Sequence, residues 1–177
     1  MSPVEALRAL GHPTRLRLLG RLHAQGDATA TECAEEVGES PSSCSYHLRT
    51  LAKYGYVEQV PTADGRERRW RTRVLSIDFG SAGDPEFEAA SALARAALLE
   101  VSDSYVREYL EHERSFTPAW RDAATFTQST IVATPAELHE LAERIHAVLE
   151  PYRRGTRDRT PRGARFVDVS TRAVPRK

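Results

Sequence analysis

The stretch from Thr29 to Arg73 constrains the fold of this chain more than any other. Thr29-Ala30-Thr31-Glu32 is a capping box, with threonine at the N-cap and glutamate three residues on. The helix it opens turns Cys33, Ala34 and Val37 inward, and Gly38 stops it. Ser40-Pro41 restarts the chain, with serine as N-cap and proline at the first helical position. The second helix carries Cys44, Leu48 and Leu51 as an apolar stripe. Gly55 reads as its left-handed C-cap, and Tyr56 to Val60 alternates like a strand. Asp64-Gly65 is a hairpin signal, and Glu67 to Arg73 is the return strand, anchored by Trp70. Helices followed by a two-stranded wing make a winged helix-turn-helix. The second helix of such a unit fits the major groove of duplex DNA.

The flanking sequence extends this plan. Ser2-Pro3-Val4-Glu5 reads as a capping box for a short helix ended by Gly11. His12-Pro13 starts another, with Leu16, Leu19 and Leu22 on one face and Gly26-Asp27 as its break. Residues 80–85 are a linker. From Glu86 to about Arg114 nothing breaks helix, and Ala94, Leu98, Val101, Tyr105, Tyr109, His112 and Phe116 recur every three or four residues. At ~1.5 Å per residue that helix exceeds 40 Å, too long to be covered by so small a domain, so it is expected to pack on a copy of itself. Thr117-Pro118 ends it. Thr125 to Val132 has strand character, and Thr134-Pro135-Ala136-Glu137 opens a helix to about Tyr152. Phe166 to Val169 reads as a last strand, paired with Thr130 to Val132. The expected fold is mainly α with small β (α+β). A winged helix-turn-helix domain, 1–79, precedes a dimerisation helix and strand-helix-strand extension, 84–177.

A net charge of zero hides segregation. Residues 84–150 hold 13 acidic and 5 basic groups, whereas residues 151–177 hold 9 basic and 2 acidic. Positions 40–73 carry 7 basic against 3 acidic groups, so positive charge falls where a nucleic-acid partner needs it. The longest apolar run is interrupted by Arg95, which argues against a membrane span. Met1 to Glu5 has neither a basic nor an apolar signal region, and the two cysteines lie in different helices. A cytoplasmic location is the expectation. No phosphate loop, nucleophile elbow or clustered ligand set is present, so neither an enzyme nor a cofactor is expected.

The candidate DNA-contact residues follow from the second helix and the wing. On the helix they are Pro41, Ser42, Ser43, Ser45, Tyr46, Arg49 and Lys53. Arg49 suits a guanine edge, while serine and tyrosine bond bases or phosphates. On the wing they are Arg66, Arg68 and Arg69, nearest the hairpin tip, while Arg71 and Arg73 read as structural. His47 adjoins the apolar stripe and is expected to pack. The plainer reading of the wing is an edge hairpin protected by its charge, and the rival reading of the whole chain is a protein-interaction module in which the winged helix binds a protein and the acidic middle segment does the work.

Leu10-Gly11-His12-Pro13-Thr14-Arg15, the stretches Thr31 to Gly38 and Ser42 to Leu51, and Tyr54-Gly55-Tyr56-Val57 together resemble the ArsR-type winged helix repressors. The resemblance covers residues 4–73 and thins beyond residue 80. It implies a homodimeric transcriptional repressor on double-stranded DNA, released from an inverted-repeat operator by a small-molecule effector. Metal-sensing relatives carry a Cys-x-Cys pair on the first helix of the motif, but this chain has Glu32-Cys33-Ala34-Glu35 there. Cys33 and Cys44 therefore read as packed hydrophobes, with a redox switch as the lesser alternative. Another sensor class uses His and carboxylates on its last helix. Here His139, Glu143 and His146 share a helix face and are the metal-site candidates, against the plainer reading of a solvated face. Phe87, Leu98, Tyr105, Tyr109, Phe116, Trp120 and Phe126 are candidates for an effector pocket or for dimer and domain core.

Overall fold

Proline and capping residues set the helix starts along the whole chain. The computed structural model describes residues 2–61, 67–74, 84–153 and 159–176. Pro3 and Pro13 stand in the first turns of α1 (Pro3–Leu10) and α2 (Pro13–Gln25). Ser2 does not cap α1 with its side chain, contrary to the capping-box reading. Its exposed hydroxyl has water available, and Pro3 already sets the helical φ. His12 does cap α2, accepting from the Thr14 N–H at 3.2 Å through Nδ1. A strand of two residues, β1 (Ala28–Thr29), then leads into α3 (Ala30–Val37) and α4 (Pro41–Lys53). Gly38, at φ 70°, makes the tight turn between those two helices.

The sequence pattern predicts two strands in the wing, and the structure has both, β2 (Val57–Val60) and β3 (Arg69–Thr72). It also has β1, which pairs with the far edge of β3. The sheet is antiparallel in the order β1-β3-β2, with Thr29 opposite Arg69 and Gln59 opposite Trp70. The hairpin tip, Ala63 to Arg66, lies outside the described residues.

By contact the chain divides into two compact units, Met1–Ser104 and Tyr105–Lys177. The first has a true core. Leu10, Leu18, Leu22, Cys33, Cys44, Leu48, Leu51 and Val57 are fully or almost fully enclosed, and Trp70 closes the sheet side. The long helix α5 (Pro85–His112) begins in this unit. It turns small residues inward, with Ala90, Ser91, Ala94, Ala97 and Val101 buried, while Leu93, Leu98 and Leu99 stay exposed. The periodicity puts Leu98 on one stripe with Ala94 and Val101, but only those two are buried. Small residues let the helix lie close. Gly11 shows how close, because a Cβ there would sit 2.5 Å from Leu93 Cγ. Arg8 pairs with Glu86 across the same contact at 2.8 Å.

The second unit contains the end of α5, a 3-10 turn (Glu113–Ser115), α6 (Pro118–Ala123) and α7 (Pro135–Leu149). Thr134 and Glu137 form the expected capping box at the start of α7. Thr117-Pro118 starts a helix as well as ending one. Two sequence expectations fail here. Neither Thr125 to Val132 nor Phe166 to Val169 forms a strand; both run without a ladder partner among the described residues. Among the described residues the extension is thus a helix flanked by segments without strand structure, and the fold remains mainly α with a small sheet. None of the described residues 105–176 is buried.

The Gly11 contact gives a direct test. Gly11→Ala should destabilise the first unit by about 0.5–1.5 kcal/mol, because the part-exposed Leu93 side chain must turn aside into a less favoured rotamer. Urea denaturation would show a lower midpoint with an unchanged slope.

Candidate nucleic-acid interface

Helix α4 is built to hold one face in and present the other. Ser40 Oγ accepts from the Ser43 N–H at 3.1 Å and so fixes the first turn, with Pro41 following. Cys44, Leu48 and Leu51 lock into the core. Pro41, Ser42, Tyr46, Arg49 and Lys53 are then exposed, and Ser43 and Ser45 are half-buried beside them. Tyr46 leaves 62% of its surface open, which is large for an aromatic side chain on a helix with a packed inner face. Arg49 lies along its own helix, donating to the Ser45 carbonyl at 3.1 Å and to Ser45 Oγ at 3.0 Å. Lys53 sits over the Tyr54 ring at 5.1 Å. The helix candidates therefore share one polar, basic surface.

The wing arginines divide by role. Arg68 is exposed just before β3, and Arg66 lies outside the described residues. Arg69 is turned inward. Its guanidinium donates to both Glu32 carboxylate oxygens, at 2.9 and 3.2 Å, and to the Asp27 carbonyl at 2.9 Å. Arg71 grips the Asp27 carboxylate with two bonds, at 2.9 and 2.6 Å. Arg73 lies 3.6 Å from Glu58. Of the wing candidates, Arg69 thus also serves as a tie between the wing and the start of α3. Glu32 is the other half of that tie. The Thr29 backbone N–H and then Arg69 hold its carboxyl below the usual range. Sequence reading misses this because Asp27 and Glu32 lie about forty residues from their partners, and nothing local marks the pairing.

Behind the presented face sits a second arrangement that the sequence does not disclose. His47 is buried on α4, with its ring centroid 4.5 Å from that of His12 and its Nδ1 without a hydrogen-bond partner among the described residues. Tyr46 meets the same ring edge-on at 5.2 Å. Burial, then His12 and Arg15, hold the His47 imidazole below its ordinary value, while Glu39 opposes them. His47 packs, as expected, and its burial disfavours the charged imidazolium.

The other candidates are less well placed. Cys33 and Cys44 are free and buried. Burial pushes the Cys33 thiol up to about 11 and raises that of Cys44. Reactive cysteines need the opposite environment, so neither is set as a redox switch. His139, Glu143 and His146 are exposed on α7, and no group of three metal-ligating side chains comes together among the described residues. Of the effector-pocket candidates, Tyr109, Phe116 and Phe126 cluster, with ring centroids 5.4 and 6.1 Å apart. No helix among the described residues is long and apolar enough to cross a membrane.

Residues 10–60 match the family model described as a helix-turn-helix domain. The matched segment runs from the end of α1 through β2 and contains all of α4. No curated relative matches the chain. The chain carries a helix-turn-helix domain of the DNA-binding kind.

The burial of His47 predicts a pH dependence. Below the ordinary value of 6.5 the unfolded chain binds a proton that the folded chain resists, so stability falls as pH drops. The thermal midpoint should decline as the pH falls through the ordinary value of 6.5. His47→Leu should flatten that decline, and an equal slope in the variant would show that other groups cause it.

Proposed function

We propose that this chain is a homodimeric, sequence-specific transcriptional regulator, a repressor of the ArsR type acting in the cytoplasm. The observation that carries the reading is the presented face of α4, a capped helix in a matched helix-turn-helix domain with polar and basic side chains outward. Each protomer lays α4 in a major groove. Arg49 leaves Ser45 to reach a base edge, and Ser42, Ser43, Ser45 and Tyr46 contact bases and phosphates. Pro41 brings the helix start against the backbone, and Lys53 holds a phosphate. Arg66 and Arg68 at the wing touch the flanking backbone or minor groove. Arg69 acts behind them, setting the angle of the wing.

Two-fold symmetry then calls for an inverted repeat, with half-sites one helical turn or a multiple apart. The exposed leucines of α5, Leu93, Leu98 and Leu99, support packing on a second copy. Repression follows from covering the polymerase site. Release follows when a small-molecule effector binds one dimer geometry better than the other.

The test is fluorescence anisotropy on DNA from upstream of the protein's own gene, across a salt series. Arg49→Ala should weaken specific binding by about 1–3 kcal/mol and relax base preference at one position per half-site. Arg68→Ala should weaken binding to all sequences alike and reduce the salt slope by about 1 for each phosphate left without its arginine. A double variant that binds as tightly as the parent chain would remove the basis of this reading.

A further inference from the structure

The exposed face of α4 rests on a buried ring. His47 is only 7% exposed, while its chain neighbour Tyr46 is 62% exposed. The His47 ring lies tilted at 47° against the ring of His12, and the Tyr46 ring meets it at 69°. Three rings thus run from the start of α2, through α4, to the solvent face. The first of them is fixed, because His12 Nδ1 accepts the Thr14 N–H and caps α2. A change at His47 therefore meets a fixed helix start on one side and an exposed tyrosine on the other.

The site is built against a second proton on that ring. An imidazolium donates from both nitrogens. His47 Nδ1 is buried and has no acceptor among the described residues. Like charge is close by: the Arg15 guanidinium, whose Nε is also buried without a partner, disfavours the proton, and so does His12. Glu39, in the turn before α4, opposes them, and its carboxylate is engaged by Thr14 Oγ1 at 3.1 Å. The charged and titratable groups around His47 are therefore His12 and Arg15 from α2, Glu39 from the turn, and Tyr46 on its own helix. α3 and β2 also pack on α4, and neither adds a charged group to this set among the described residues.

We infer that His47 is a proton-sensitive positioning residue for the DNA-facing side of α4: uncharged, it seats Tyr46 and the helix against His12, and charged, it leaves that seat and weakens specific DNA binding. The inference rests on the DNA-binding reading above and adds a control to it. The seated helix prefers the uncharged ring, so seating is complete above the ordinary value of 6.5 and is lost as the pH falls below it. This sign is opposite to the general one. Acidification makes a protein more positive and tightens its hold on any phosphate backbone. Loss of the seat disturbs contacts to base edges, which phosphate contacts do not replace. Specific and unspecific binding should therefore part as the pH drops.

The experiment is fluorescence anisotropy of the full chain on the upstream duplex and on a scrambled duplex, on both sides of pH 6.5, with proton NMR of the free chain alongside. As the pH falls through that value, the dissociation constant for the upstream duplex should rise about threefold or more, while binding to the scrambled duplex holds level or tightens. His47→Leu should lose that rise. His47→Gln removes the same charge with a polar side chain, and serves if the apolar one upsets the packing. In the NMR titration the His47 ring should take up its proton below 6.5, with the Tyr46 ring shifting in step. His12→Asn keeps an N-cap acceptor but removes the facing ring, and should move the His47 titration up toward its ordinary value. Specific binding that weakens equally in the parent chain and in a folded His47 variant overturns this inference alone. A His47 ring that titrates without moving Tyr46 overturns it too. No specific binding at either pH overturns the DNA-binding reading, and this inference with it.

Discussion

The DNA-facing geometry depends on one small junction, residues 27–32. There the Glu32 carboxylate accepts from the Thr29 N–H at 2.8 Å and from Arg69, while Asp27 holds Arg69 through its carbonyl and Arg71 through its carboxylate. A single exposed ion pair contributes only about 0–1 kcal/mol. This junction is more than one pair. The same six residues cap α3, supply β1 to the sheet and bind two arginines of β3. On the other face of β3, Trp70 is buried in the core. The wing is thereby held from both faces at a set angle to α3, and α3 sets α4. Few degrees of freedom remain between the exposed face of α4 and the hairpin beside it.

The two units differ in how they satisfy their apolar surface. The first encloses leucines from α1, α2 and α4 with Val57 and Trp70 from the sheet, enough for a rigid reading head. The second has one helix with a capping box, α7, but no buried residue among those described. Capping and helix propensity can define a helix; they do not build a core.

Most of the reading head is legible in the sequence because its signals are local. Thr29 with Glu32, Ser40 with Pro41, and the stripe of Cys44, Leu48 and Leu51 each act within one or two helical turns. The misses have physical reasons. β1 is two residues long, too short to alternate, and Thr29 serves it and the N-cap of α3 together. The tie of Arg69 to Glu32 and Asp27 is not legible, because its partners lie far away in sequence. Pro118 reads as a stop, though Thr117-Pro118 has the same form as Ser40-Pro41 and Thr134-Pro135, both of which start helices. The pairing of His12 with His47 depends on how α2 packs on α4, which no spacing rule supplies.

The central claim is that a pair of these reading heads recognises a symmetric DNA sequence. Selection of bound fragments from a random-sequence duplex pool tests it with no operator sequence assumed. The account predicts enrichment of an inverted repeat whose half-site centres lie about 10–10.5 base pairs apart, or a multiple of that. A pool that stays random after repeated rounds, or that converges on an unpaired half-site, would contradict it.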